Sequence, residues 1–187
     1  MGRTGVDRAQ APPPSGWSTA GTVAAYAAAI VAFAYALVSL YWAAGGHGLL
    51  STVGGYVEHF ARQGGALPVL VAVAAVVAKV AGGLLALALV RPWGRVVPRG
   101  WLLLSSAGAS ALLLVYGGLA VAAAALVLSG VIHPSAGVDR TALRWHLGVW
   151  DLWFLVLGIL LALATVGYWR RTGTGTPRAR LEHGNHR

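Results

Sequence analysis

The chain has no cysteine, a single lysine and little charge of either sign: only 10% of its 187 residues are Asp, Glu, Lys or Arg. Without cysteine there is no disulfide, no thiolate catalysis, no thiol redox relay and no covalent haem attachment. Soluble proteins carry about 25% charged residues, so this composition leaves too few polar side chains to cover a water-soluble globule. Catalytic signatures are missing too. No Gly-rich loop holds a phosphate-binding Lys, no GxSxG occurs, and no two carboxylates share a helix face. No catalytic residue and no cofactor is assigned.

What the chain does contain is apolar sequence: 57% of it is hydrophobic, with 26 glycines besides. Most of this falls in four long runs. In lipid, every backbone polar group must be satisfied within its own segment, so such runs become helices. The expected spans are residues 19–44, 66–90, 101–130 and 142–169. The first closes on Tyr41, Trp42, Gly45 and Gly46, with aromatics suited to a membrane interface. Pro68 falls in the first turn of the second, where its missing N–H costs nothing, and Arg91, Pro92 and Trp93 stop it. The third exceeds the roughly 20 residues a bilayer requires, so it tilts or projects. The fourth runs into Arg170 and Arg171. The fold class is all-α, an integral membrane four-helix bundle over residues 17–171, between disordered tails at 1–16 and 172–187.

The first run is far longer than the roughly 7–15-residue core of a cleaved signal peptide and lies behind a Pro-rich polar stretch, so no cleaved leader is expected. A net charge of +9 would point a soluble chain toward nucleic acid, but its distribution points to a bilayer. Arg3 and Arg8 precede the first span, and Arg91, Arg95 and Arg99 lie between the second and third. Arg170, Arg171, Arg178, Arg180 and Arg187 follow the fourth, while only Arg62, Arg140 and Arg144 fall on the opposite side. This asymmetry places both termini in the cytoplasm of a multi-pass protein of the cell (inner) membrane. The expected partners are the lipid bilayer and, at the cytoplasmic arginines, anionic lipid headgroups. No nucleic acid is expected, and nothing in the pattern specifies an oligomer.

The loop from Gly45 to Gly65 has helical periodicity of its own. Tyr56, Val57 and Phe60 oppose Glu58 and Arg62, an i,i+4 pair. A short amphipathic helix starting near Ser51 or Thr52 is expected on the outer surface, either as a lid over the bundle mouth or as part of a substrate site. Between helices in lipid no hydrophobic effect operates, so small residues must bring the backbones together. Ala75, Ala78, Gly82, Gly83 and Ala86 in the second span, and Gly108, Ser110, Gly117, Gly118 and Ala122 to Ala125 in the third, are the candidates.

Two ionisable residues lie inside the spans. At 1.5 Å per residue, Lys79 sits about 20 Å along the second span from its outer end, and Asp151 about 14 Å along the fourth. Each costs about 2.5–3.5 kcal/mol at the bilayer centre, so the two are expected to face each other, with Tyr116 of the third span at the same level. The lysine stem can bridge the difference in depth. Arg keeps its proton in proteins, whereas a buried Lys can release it. Three roles are therefore open: a structural ion pair, a proton-linked or substrate-binding group, or a group that gathers an anionic lipid or quinone headgroup. The fourth span opens on Arg144, Trp145, His146, Trp150 and Trp153. Arg144 and Asp151, seven apart, share a helical face, while Trp145 and His146 read as interfacial anchors. Arg144, His146, Glu58 and Tyr41 are the candidates for the outer mouth. His47, His59, His133 and His146 have no i,i+4 pair among them, so a metal site or a haem would need tertiary convergence, and no metal is assigned.

Four blocks carry a family resemblance: YWAAGGHGLLSTVGGYVE from Tyr41 to Glu58, Lys79 with LALALVRPWGR downstream, VYGGL from Val115, and LRWHLGVWDLWFLVLGILL from Leu143. In this order they resemble the small four-helix actinobacterial membrane family known as domain of unknown function 3995, over about Trp17 to Arg171; His146 departs from the family pattern. The resemblance implies an integral membrane protein with no assigned activity. Three functions stay open. One is a non-enzymatic protein whose Lys79, Asp151 and Tyr116 cluster holds the bundle and lines an outward-open polar cavity. The others are a small proton-coupled transporter or permeation subunit that titrates Lys79 and Asp151, and an intramembrane lipid or quinone binder.

Overall fold

Apolar runs with no internal breaker fold into long helices, and their ends are set by glycine, proline and a single carboxylate. The computed structural model describes residues 16–134 and 139–173; the two tails, apart from residues at their inner edges, lie outside the described residues. In chain order the elements are α1 (Gly16–Ala43), α2 (Leu50–Val53), α3 (Gly55–Arg62), α4 (Ala66–Ala88), a 3₁₀ turn (Pro92–Val96), α5 (Arg99–Leu128), α6 (Arg140–Trp145), a π-helical turn (His146–Trp150) and α7 (Asp151–Gly173). The π turn joins α6 to α7, so Arg140–Gly173 forms one stretch of 34 residues. With α1, α4 and α5 it makes four helices long and apolar enough to cross a membrane. The chain is thus an all-α four-helix membrane bundle. Asp139 caps α6, its carboxylate accepting from the Thr141 and Ala142 amides at 2.8 and 3.1 Å.

The helices do not pack in chain order. α1 lies along both α4 and α7, and α5 lies along α7, while α4 and α5 barely meet. The row runs α4, α1, α7, α5. Accordingly 44% of the α1 span and 39% of the last are buried, against 11% for each of α4 and α5, so the first and last spans are central and the middle two are flanks.

A central helix in lipid needs two faces that allow close approach. In α1 these come from Ala24, Ala25, Ala28, Ala29 and Ala32, all buried. A Cβ on Gly21 would stand 2.8 Å from the Gly167 Cα, so α1 and α7 nearly touch there. α5 meets α7 in the same way: a Cβ on Gly117 would lie 2.5 Å from the Leu155 nitrogen, and one on Gly158 2.9 Å from the Leu114 nitrogen. On α4, Gly83 seats the Phe33 ring and Ala86 is buried. The small-residue expectation therefore holds for Gly83, Ala86, Ser110, Gly117 and Ala124, all of them buried. Gly82, Gly108 and Gly118 have nothing within 4 Å of an added Cβ, and Ala78 is exposed. These residues point away from the bundle because each flanking helix buries only one narrow stripe.

At the end opposite α2 and α3, Arg171 ties three helices together. It donates to the Thr22 hydroxyl at 3.2 Å and to the Leu89 carbonyl at 3.0 Å. Arg99 donates to the Thr172 hydroxyl at 2.7 Å.

Candidate functional site

A cavity of about 430 Å³ opens beneath α2 and α3, walled by α1, α4 and the last span, on the side where α4 and α5 hardly pack. Pockets for small molecules typically hold about 300–1,000 Å³. Lys79, Tyr116 and Asp151 all line this cavity, along with Tyr35, Ser39 and His146. Its walls are otherwise mainly apolar, with Val69, Ala72 and Ala75 on α4 and Phe154 on α7, and α5 supplies Tyr116 alone.

The two buried charges share the cavity but not a bond. Among the described residues no ion pair joins Lys79 to Asp151. Asp151, 6% exposed, meets His146 instead, Oδ2 to Nδ1 at 3.1 Å. The Lys79 ammonium lies 4.5 Å from the centroid of the Tyr35 ring, a cation–π contact. The Cβ vectors of α4 tilt toward its N-terminus, so the lysine stem rises toward the α2–α3 end and meets Tyr35 before any carboxylate. The expected face-to-face pair is corrected on this point.

The π turn explains why Asp151 finds His146. Bonding from i to i+5 widens the turn, so residues five apart come into line. Regular helical spacing would put Arg144 and Asp151 on one face. Across the wider turn Arg144 is exposed while Asp151 is buried, and the shared face belongs to His146 and Asp151. His146 consequently bonds within the fold, to Asp151 on one side and to α2 on the other. Its Nε2 lies 2.9 Å from the Val53 carbonyl oxygen, which can only accept, so Nε2 carries a hydrogen. The contact between Nδ1 and Oδ2 then requires one proton held between them. Whether that proton resides on nitrogen or oxygen, the pair is neutral as a unit.

The same turn anchors the loop. Trp150 donates to the Thr52 hydroxyl at 3.2 Å, and Thr52 in turn donates to the Leu49 carbonyl. With the His146 bond to Val53, α2 is fastened to the last span twice. In place of the single loop helix expected, there are two, broken at Gly54. Gly54 has φ 63°, and a Cβ there would stand 2.8 Å from the Ala142 Cβ. A side chain would be both strained and blocked, so the chain turns there.

The remaining mouth candidates have other tasks. Glu58 accepts from Arg62 at 2.8 Å along α3, the i,i+4 pair expected. The Tyr41 hydroxyl accepts from the Gly48 amide at 3.1 Å, its ring covers Gly46, and Trp42 donates to the Gly48 carbonyl at 2.8 Å. Tyr41 and Trp42 thus clasp the Gly45–Gly48 turn, and neither Tyr41 nor Glu58 nor Arg144 lines the cavity. His47 does line it; among the described residues no three His, Asp or Glu gather as a metal-binding group.

Sequence reasoning overlooked Tyr35, which organises the site. Its ring stacks on Trp153 at 4.9 Å and on Trp150 at 6.1 Å, and meets Phe154 edge-on at 5.2 Å. Trp153 also donates to the Val31 carbonyl at 3.0 Å, and the Tyr116 ring packs edge-on against Phe154 at 5.1 Å. A signal was present: Tyr35, Ser39 and Trp42 stand at i, i+4 and i+7 in an otherwise alanine-rich helix, so they form one face.

Residues 31–161, well over half of the chain, match the model of a family described as Protein of unknown function (DUF3995). No match was found among curated proteins or among solved structures.

Proposed function

Since the chain belongs to the DUF3995 family, described as of unknown function, we propose its role from the cavity: a non-enzymatic, multi-pass protein that holds a small amphipathic molecule between α4 and α5. The supporting observation is that Lys79 and the His146–Asp151 pair face one space of about 430 Å³ rather than each other. A structural ion pair would instead have set the two charges against each other. The arginine distribution puts the α2–α3 end on the outer side of the cell membrane with both termini inside. On this topology Arg99 and Arg171 face anionic headgroups at the inner surface. The lining of the cavity stops at the level of Lys79 and Phe154, and Arg171 clamps the helices beyond it, which favours binding over permeation.

Native mass spectrometry of the full chain in mild detergent tests the reading. The wild type should retain a bound small molecule, and Ala72→Phe or Ala75→Phe, which place a ring inside the cavity, should release it. Retention of the same molecule by both folded variants would exclude the cavity as the site.

A further inference from the structure

We propose that the molecule held in this cavity is a single-chain amphiphile with an anionic head, a carboxylate or phosphate seated against the Lys79 ammonium, its chain lying between α4 and α5. This rests on the reading of the cavity as a ligand site and adds the ligand's charge and shape.

Charge is the first ground. Among the described residues each carboxylate is already engaged: Glu58 by Arg62, Asp139 by the first amides of α6, and Asp151 by His146. Because His146 must donate to Val53, the His146–Asp151 unit is neutral whichever member holds the shared proton. Among the described residues Lys79 has only the face of Tyr35. An aromatic face offers a cation less than a carboxylate or phosphate oxygen does, particularly away from water. His47, the one basic residue on the lining besides Lys79 and His146, cannot offset that charge. The cavity thus lacks an anion, and the Tyr116 and Ser39 hydroxyls on its wall can donate to the same head.

Shape is the second. Beyond the polar floor the lining is mainly apolar, with Val69, Ala72, Ala75 and Phe154 in it, and α5 contributes Tyr116 alone. A gap between two weakly packed helices lets a molecule dissolved in the bilayer pass sideways into the site. About 430 Å³ suits one acyl or prenyl chain segment and is cramped for a two-chain phospholipid. A neutral quinone fits the walls but leaves Lys79 uncompensated.

Trp42 and Trp150 line the cavity, so contact quenching by bromine reports occupancy. The full-length protein in phosphatidylcholine liposomes would be titrated with dibromostearic acid and with its methyl ester, and an unbrominated alkyl phosphate would be tested as a competitor. The acid should quench saturably and the ester should not. Lys79→Met should raise the half-saturating mole fraction by about tenfold, the order expected for losing one charge-assisted contact, while Lys79→Arg should retain binding. Competition by stearate or by the alkyl phosphate identifies the preferred head, and competition by neither overturns the proposal. Equal quenching by ester and acid, unchanged in Lys79→Met, would also overturn it while leaving the cavity reading intact. Absence of saturable quenching by any probe, with Ala72→Phe indistinguishable from wild type, would refute both. If Lys79→Met does not fold, Lys79→Gln replaces it under the same criteria.

Discussion

His146→Leu removes the partner with which Asp151 shares a proton and the donor that holds Val53, leaving a carboxylate that is 6% exposed with nothing to neutralise it. Two routes give the size of the loss. Breaking one side of a buried pair costs about 3–5 kcal/mol in soluble proteins, and a lone carboxylate deep in a bilayer costs about 2.5–3.5 kcal/mol on insertion scales. They meet near 3 kcal/mol, and the lost bond to the Val53 carbonyl adds about 0.6–1 kcal/mol. Asp151→Leu alone leaves a half-buried imidazole nitrogen unsatisfied, for about 1–2 kcal/mol. With both replaced, only the Val53 carbonyl is orphaned, so the double variant should lie about 1 kcal/mol below wild type and the coupling energy should be about 4 kcal/mol. Lys79→Met provides the contrast. It forfeits a cation–π contact of about 0.5–2 kcal/mol and relieves a buried charge of about 2.5–3.5 kcal/mol, so it should be neutral or stabilising. Its cycle with Asp151→Leu should close within about 0.5 kcal/mol. Reversible unfolding in detergent and SDS mixtures, followed by tryptophan fluorescence, measures all five variants. The reasoning fails if His146→Leu stays within 1 kcal/mol of wild type, or if Lys79 and Asp151 couple more strongly than His146 and Asp151 do.

Gly117→Val should destabilise by about 1–3 kcal/mol, because its Cβ would press on the Leu155 backbone nitrogen; Gly118→Ala, which meets nothing within 4 Å, should gain about 0.5–1 kcal/mol from helix propensity. The same unfolding assay compares them, and equal effects would contradict the packing of α5 on α7. Trp150→Phe keeps the ring but loses the hydrogen bond to Thr52, so hydrogen exchange over Leu50–Arg62 should accelerate while α5 is unaffected. Because the chain has no cysteine, single cysteines at Ser51 and Val96 report topology without background. An impermeant maleimide added to intact cells should label the first and not the second, and the reverse pattern would invert the proposed orientation.

Much of the site was already visible in the residues. Lys79, Asp151 and Tyr116 stood out because a charge or hydroxyl in an apolar run is costly wherever its helix points, and all three line one cavity. The Glu58–Arg62 pair was legible because both members sit on one helix, where spacing alone determines contact. The partner of Asp151 was not. Five-residue spacing between His146 and Asp151 reads as two different faces of an α-helix, and only the π turn brings them into line. Tyr35 stayed hidden for another reason: its contacts come from α4 and α7, so its own helix shows no more than a polar stripe.

The number of long apolar helices followed from sequence alone, because lipid offers no partner to a backbone amide and leaves an apolar run little choice but to become a helix. The order α4, α1, α7, α5 did not, since small residues are spread over nearly every face and only some of them find a neighbour. The neutralisation of Asp151 by His146, and the exposure of Lys79 to an open cavity, were tertiary decisions as well. A salt bridge depends on the relative depth and rotation of two helices, and a single wide turn changes both.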